Sequence, residues 1–127
     1  MSASRAPGLL IVDDSMIVRN RIARLISDPA LPHIQIVGLA GNGTTACALA
    51  RELRPELITM DLTMPGMDGE ACIAEIAGFL PEARILVVSA LADKASALRA
   101  LKRGASGFLH KPFTDEQLLD ALITLIE

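Results

Sequence analysis

The sequence lacks an excess of basic residues. It holds 12 lysines and arginines against 15 aspartates and glutamates, which gives a net charge of -3 and a pI near 5.3. Binding to nucleic acid or to anionic lipid needs clustered positive charge, because phosphate groups supply most of the attraction. The composition therefore excludes DNA contact by this chain and gives no reason to expect binding to a membrane surface.

Long apolar runs are also absent. No stretch approaches the roughly 20 apolar residues of a transmembrane helix, and residues 1–8 lack the apolar centre of a signal peptide. We therefore expect a soluble, cytoplasmic protein. No Ser/Pro-rich linker, repeat or low-complexity tract interrupts the sequence after residue 8. This predicts one domain over 9–127, preceded by a disordered tail over 1–8.

Cysteine is scarce, and its two copies do not form a recognisable motif. Cys47 and Cys72 lie outside any CxxC pattern, in segments with helical periodicity. We interpret them as buried free thiols rather than as a disulfide or a metal-binding pair, and we assign them no function.

The sequence does contain a regular alternation. Short apolar runs alternate five times with longer segments of helical period, which predicts a parallel sheet covered by helices on both faces. The predicted strands are 9–12, 34–39, 57–60, 85–88 and 107–110. The predicted helices are 15–26, 44–53, 69–77, 94–103 and 115–126. Ligands of such sheets bind at the carboxyl ends of the strands, where functional residues should therefore lie.

Acidic residues follow two of these strands. Asp13 and Asp14 come directly after the first strand, and Asp61 comes directly after the third. A single aspartate there is more often a helix cap, and Asp14 before Ser15 fits that role. Three together would repel one another and raise their pKa values, unless a hard divalent cation neutralised them through oxygen ligands. The cluster therefore favours a Mg2+ site.

Two further strands end in residues that would complete a phosphoryl-transfer site. Ser89 ends the fourth strand, and Lys111 follows the fifth. Either residue alone would mean little. Phosphoryl transfer, however, needs a nucleophile, a metal and fixed donors for the phosphoryl oxygens. Asp61, the acid pair, Ser89 and Lys111 would supply these parts.

The motifs that carry these residues occur in a familiar order: Val12-Asp13-Asp14, Asp61-Leu62-Thr63-Met64-Pro65-Gly66-Met67-Asp68-Gly69, Ser89-Ala90 and Lys111-Pro112-Phe113. Over about residues 9–126 the sequence closely resembles the receiver domains of two-component response regulators, and among them the chemotaxis regulators. The resemblance implies an α/β fold, a (βα)5 doubly wound five-stranded parallel sheet with the flavodoxin-like order 2-1-3-4-5. It also implies a signalling switch rather than an enzyme.

The resemblance implies a role for each acid. Asp61 would accept a phosphoryl group from a sensor histidine kinase, a phosphotransfer protein or a small phosphodonor. Asp14, Asp61 and the backbone carbonyl of Thr63 would bind Mg2+ directly, and Asp13 would assist through water. Pro65 and Gly69 would shape the loop that follows Asp61.

The resemblance also implies how a signal would leave the site. Lys111 would pair with the phosphate, and its bond to Pro112 would be a cis peptide. Ser89 would hydrogen-bond a phosphoryl oxygen, and Thr63 and Leu91 would influence how long the phosphoryl group survives. Ser89 and Phe108 would act as switch residues that change the surface of the fourth helix, fifth strand and fifth helix.

Three other classes of protein share part of this pattern. A flavodoxin-like carrier would need a Gly/Ser/Thr-rich phosphate cradle where Asp13 and Asp14 stand. A calcium loop of the EF-hand type fails because Thr63 and Pro65 occupy ligand positions. A haloacid-dehalogenase-type phosphatase also uses an aspartate nucleophile at a strand end, but it would have a second aspartate at the position of Thr63. Turnover of a phosphomonoester would separate that reading from the receiver reading.

Two kinds of downstream partner are compatible with the sequence. The partner is either an unknown output protein or a fused effector domain. We favour a stand-alone regulator, because the motif Lys111-Pro112-Phe113-Thr114 and the lack of a linker after the last predicted helix resemble the chemotaxis type. The alternative is an excised N-terminal receiver of a longer response regulator.

Overall fold

The computed structural model describes residues 6–64, 66–90 and 94–127. Within these ranges strands and helices alternate five times along the chain. The elements are β1 Gly8–Val12, α1 Met16–Leu25, β2 Gln35–Ala40, α2 Gly43–Leu53, β3 Leu57–Met60, α3 Gly69–Phe79, β4 Arg84–Ser89, α4 Lys94–Arg103, β5 Gly107–His110 and α5 Asp115–Ile126. Across the described ranges no helix has both the length and the apolar character needed to span a bilayer.

The five strands form one parallel sheet in the order β2-β1-β3-β4-β5, as predicted. The strand order reverses between β1 and β3, and in sheets of this kind a crevice opens there at the carboxyl edge. Val12 of β1 pairs with Met60 of β3. The residues that follow them, Asp13 and Asp61, are therefore brought to the same edge.

The predicted bounds agree closely with the observed ones. The bounds of β3, β5, α4 and α5 are as predicted, and the other elements differ by one or two residues at an end. The predicted tail was too long, because β1 already begins at Gly8. The Pro7 carbonyl accepts a hydrogen bond from the Gln35 amide at 2.9 Å, which joins this part of the chain to the edge strand β2. Residues 1–5 of the predicted tail lie outside the described residues.

Side chains alternate along the strands and build one core on each side of the sheet. We call these the α1/α5 face and the α2/α3 face. The α1/α5 face buries Leu9, Ile11, Leu57, Leu86 and Val88 from the strands, with Ile22 and Leu25 of α1 and Leu118, Leu122 and Leu125 of α5. The α2/α3 face buries Leu10, Val12, Ile58, Met60, Ile85 and Val87, with Ala46, Cys47, Ala50, Cys72, Ile73, Ile76 and Ala100 from helices.

The N-terminal ends of α1 and α5 are fixed by local hydrogen bonds. Ser15 caps α1 by accepting from the Val18 amide, which is why this helix begins one residue later than predicted. Thr114 and Gln117 form the predicted capping box at the start of α5. Both helices thus begin beside the carboxyl edge of the sheet.

Candidate functional site

Three carboxylates meet at the carboxyl edge where the strand order reverses. Asp13, Asp14 and Asp61 each place one carboxylate oxygen within 4.8 Å of the others. Asp13 and Asp61 are 1% and 3% exposed, whereas Asp14 is exposed. The cluster is thus open to solvent on the side of Asp14 and closed beneath the other two.

Both carboxylate oxygens of Asp13 are already engaged. Oδ1 accepts a hydrogen bond from the Ser15 amide at 2.9 Å, and Oδ2 accepts one from the Lys111 ammonium at 2.8 Å. The backbone carbonyl of Asp13 accepts a further bond from the Arg19 guanidinium. Asp13 is therefore held in place and has little capacity left to ligate a metal directly.

Asp61 is held less tightly. Its Oδ1 accepts a hydrogen bond from the Thr63 amide at 3.2 Å, and its Oδ2 lies 3.7 Å from the Lys111 ammonium. Burial raises the pKa of Asp61 above its ordinary value, and the charges of Asp13 and Asp14 add to this effect. The Thr63 amide and Lys111 oppose the rise only in part. A cation bound beside Asp61 would therefore favour its charged form.

Lys111 is the cation that the fold places against this cluster. Its backbone amide donates to the Ser89 carbonyl at 2.9 Å, which extends the β4–β5 pairing by one residue. Its peptide bond to Pro112 is cis, as predicted. From this position the ammonium contacts both Asp13 and Asp61, so the first and third strand ends are bridged by a residue that follows the fifth.

The two predicted switch residues lie on the neighbouring strands. Ser89 is the last residue of β4 and is fully buried. Phe108 of β5 is half-buried against the core of the α2/α3 face and pairs in register with Val87. Because Ser89 lies two residues after Val87, Ser89 and Phe108 belong to the same side of the sheet. Pro65 and Leu91, which were also predicted to influence the site, lie outside the described residues.

Gly69 lets α3 approach the end of β3 closely. A Cβ at this position would lie 2.6 Å from the Leu62 Cα and even closer to the Asp61 carbonyl oxygen. The Gly69 amide also donates to the Leu62 carbonyl at 3.2 Å. Any larger residue would push the first turn of α3 away from Asp61, which explains why this loop ends in glycine.

A cluster of three sulfur atoms between α2 and α3 was not predicted. The Cys47 and Cys72 sulfurs lie 3.3 Å apart, and the Cys47 sulfur is 3.8 Å from the Met67 sulfur. Both cysteines are buried free thiols, as expected, and burial raises the pKa of each. Their proximity could not be read from two positions 25 residues apart in the sequence. It arises where α2 packs against α3.

The donor set fits a magnesium ion. Three carboxylates and one ammonium leave two negative charges to be balanced at this edge. Carboxylate oxygens on a partly open cluster are the ligands that Mg2+ prefers, because it keeps several of its waters. Asp14 and Asp61 are the carboxylates best placed to ligate it, and the backbone carbonyl of Thr63 is the remaining predicted ligand. Both carboxylate oxygens of Asp13 already accept hydrogen bonds, so Asp13 would contact the ion through a water molecule.

Comparison with known proteins gives a consistent result. The sequence profile described as "Response regulator receiver domain" matches residues 9–123. A chemotaxis protein CheY from Listeria monocytogenes is 37% identical over 114 residues, 90% of this chain and 93% of that protein. A protein-glutamate methylesterase/protein-glutamine glutaminase from Myxococcus xanthus is 44% identical over 115 residues, 88% of this chain but 32% of the enzyme.

Among solved structures, a CheX–CheY complex with beryllofluoride and Mg2+ from Borrelia burgdorferi superposes with a TM-score of 0.88. The two chains are 27% identical, and the match covers 94% of this chain and 89% of that one. The shared architecture is therefore found both in a protein of similar length and in one domain of a longer enzyme.

Proposed function

This chain belongs to the response regulator receiver domain family, and from that premise we propose that it is a signalling switch phosphorylated on Asp61. The observation that carries the proposal is the buried Asp61 carboxylate, which lies in reach of two other carboxylates and of Lys111. A phosphoryl group placed there would be close to the Lys111 ammonium and to the carboxylates that would hold a Mg2+ ion.

In the proposed reaction an oxygen of Asp61 attacks the phosphorus of a phosphohistidine or an acyl phosphate. The new P–O bond forms as the bond to the imidazole nitrogen or acyl oxygen breaks, and the leaving group takes the electron pair. Mg2+ held by Asp14, Asp61 and Thr63 would neutralise charge on the phosphoryl oxygens. Lys111 would exchange part of its contact with Asp13 for a phosphoryl oxygen, and Ser89 would donate its hydroxyl to another.

The proposed donor is the histidine-bearing domain of a sensor kinase or a phosphotransfer protein. It would dock beside the acid cluster on the first turn of α1. Met16 and Ile17 are 64% and 82% exposed there, directly after the segment that carries Asp13 and Asp14. Exposed apolar residues next to a reactive carboxylate suit a partner that must hold its phosphohistidine close.

We propose that the output leaves through the surface of α4, β5 and α5. When Asp61 is phosphorylated, Ser89 would move its hydroxyl toward the new oxygens, and Phe108 would turn inward from its half-buried position. Full burial of an exposed aromatic ring is worth about 1.5 to 3 kcal/mol, so completing the burial of a half-buried ring gains about half of that, enough to shift a two-state population by about threefold to tenfold. The partner recognised by this surface is an output protein or a fused effector domain.

The test is direct phosphorylation with acetyl phosphate and Mg2+, followed by intact-mass measurement. We expect one hydroxylamine-sensitive phosphoryl group on the wild-type chain and none on Asp61→Ala. Asp120→Ala, which removes an exposed aspartate of α5, should be phosphorylated at the wild-type rate. Asp14→Ala should lose tight Mg2+ binding while remaining folded, because it removes a ligand and relieves repulsion.

Two outcomes would contradict the proposal. One is phosphorylation of Asp61→Ala at the normal rate, and the other is an unchanged Mg2+ titration for Asp14→Ala. Continuous hydrolysis of p-nitrophenyl phosphate would instead support the phosphatase alternative, which the receiver proposal does not expect. Whether the chain acts alone stays a prediction, and co-purification of a partner from the native host, with and without acetyl phosphate, would test it.

A further inference from the structure

We propose that Arg21 of α1 is a positioning residue for Lys111. This inference rests on the proposed function, since it assigns Arg21 a role in phosphorylation of Asp61. Arg21 does not touch the acid cluster in the described contacts. It would act by holding the segment that follows Lys111, so that the ammonium stays directed at the carboxylates.

Arg21 binds this segment in three ways at once. Its Nη2 donates to the Phe113 carbonyl at 2.8 Å. Its Nε and Nη2 donate to Asp115 Oδ1 at 3.1 and 2.8 Å. Its guanidinium carbon also lies 4.4 Å from the centroid of the Phe113 ring. Only arginine combines a planar fork of donors with a face that stacks on a ring, so lysine would reproduce only part of this contact.

These contacts form the second of two anchors around Lys111. The first is the backbone bond from the Lys111 amide to the Ser89 carbonyl at 2.9 Å. Only Pro112 lies between the two anchored residues, Lys111 and Phe113. Arg21 therefore joins α1 to the short segment whose position decides whether Lys111 reaches both Asp13 and Asp61.

The required placement is narrow. The Lys111 ammonium lies 2.8 Å from Asp13 Oδ2 and 3.7 Å from Asp61 Oδ2. In enzymes a displacement of about 1 Å in a catalytic group can cost about 100-fold in rate. Loss of one anchor should shift the average position of Lys111 by less than that. We therefore expect Arg21→Met to lower the rate of Asp61 phosphorylation by about tenfold.

A purely structural role for Arg21 predicts something different, and the chain offers a matched control. Arg51 of α2 also stacks on a ring, 4.1 Å from the Phe79 centroid, and also pairs with a carboxylate, 3.6 Å from Glu75. Neither partner belongs to the site. If Arg21 only added stability, Arg21→Met and Arg51→Met should affect phosphorylation alike.

The experiment measures the initial rate of phosphorylation by acetyl phosphate and Mg2+ for the wild type, Arg21→Met, Arg21→Lys and Arg51→Met. Each variant is first shown to be folded by circular dichroism. We expect Arg51→Met within about twofold of the wild type, Arg21→Met about tenfold slower, and Arg21→Lys between them. Equal rates for Arg21→Met and Arg51→Met would overturn the inference.

A double-mutant cycle tests whether Arg21 acts through Lys111. In a Lys111→Ala background, Arg21→Met should change the remaining rate by less than about twofold, because the group that it positions is gone. The same tenfold loss in both backgrounds would overturn the inference. Failure of the wild type itself to gain a phosphoryl group would instead count against the proposed function, so the two failures are distinguishable.

Discussion

The two helices that accompany the last strands of the sheet, α4 and α5, are attached to the domain in different ways. α5 buries Leu118, Leu122 and Leu125 in the α1/α5 face. α4 buries Ser96 and Ala100, while its Leu98 and Leu101 are 57% and 44% exposed. One helix is therefore fixed by large apolar side chains, and the other rests on small ones.

Hydrogen bonds strengthen this contrast. Arg84 donates to the Leu125 carbonyl at 2.9 Å and also to the Ile126 carbonyl, so it holds the last turn of α5. α4 is joined to α3 by the ion pair of Arg99 and Glu70 at 3.1 Å, and about half of the Arg99 side chain is exposed. Exposed pairs of this kind contribute little stability. A change at Asp61 would therefore displace α4 at a lower cost in free energy than α5.

The largest expected effect is on folding stability. Leu122→Ala should lower the free energy of unfolding by about 2 to 5 kcal/mol, because a fully buried leucine leaves a cavity. Leu98→Ala on α4 should change it by no more than about 0.5 kcal/mol, because this leucine is mostly exposed. Urea unfolding followed by circular dichroism would measure both. Similar losses for the two variants would show that α4 is anchored as firmly as α5.

The order of the elements was predictable from the sequence because it depends on local patterns. Short apolar runs and longer segments of helical period predicted five strands and five helices, and strand-end positions brought Asp13, Asp14 and Asp61 to one edge. The contacts of Arg21 with Asp115, 94 residues away, depend on how α1 and α5 pack and leave no local signal. The same is true of the thiol contact between Cys47 and Cys72. Such pairings could not be inferred from periodicity.

The next prediction concerns motion. Addition of beryllofluoride and Mg2+, which mimic a phosphorylated Asp61, should change hydrogen exchange of α4 amides by about tenfold or more. Amides of α5 around Leu122 should change less than about twofold, because their opening requires exposure of the buried leucines. Asp61→Ala should abolish the effect in α4. Equal changes in the two helices would contradict the difference that we infer from their packing.

A smaller effect is expected from the negative charge of the buried Asp61 carboxylate. Burial raises the pKa of Asp61, so its ionised form is less favourable in the folded than in the unfolded chain. Without Mg2+, this penalty is absent below the ordinary carboxyl pKa and grows as pH rises through the raised value. Asp61→Asn should therefore be more stable than the wild type at pH 7, by up to about 2 kcal/mol.

The same comparison of Asp61→Asn with the wild type, repeated at low pH, separates charge from packing. The stability difference should shrink as pH falls toward the ordinary pKa of aspartate, because both side chains are then neutral. Unfolding in urea with a chelator present would measure it at each pH. A difference that does not change with pH would show that the charge of Asp61 does not destabilise the fold.

The smallest effect is expected from Thr59, a weak point on the otherwise apolar α1/α5 face. Thr59 lies between Ile11 and Leu86 in the sheet and is 1% exposed. Its hydroxyl oxygen has no hydrogen-bond partner among the described residues. A buried hydroxyl without a partner costs stability, and valine has the same shape without it. Thr59→Val should therefore raise the free energy of unfolding by about 1 kcal/mol.

Thr124→Val, on the exposed side of α5, is the control for this substitution. It should change the free energy of unfolding by less than about 0.5 kcal/mol. If Thr59→Val destabilises the protein, the hydroxyl has a partner such as a bound water, and the α1/α5 face depends on a polar contact as well as on its leucines.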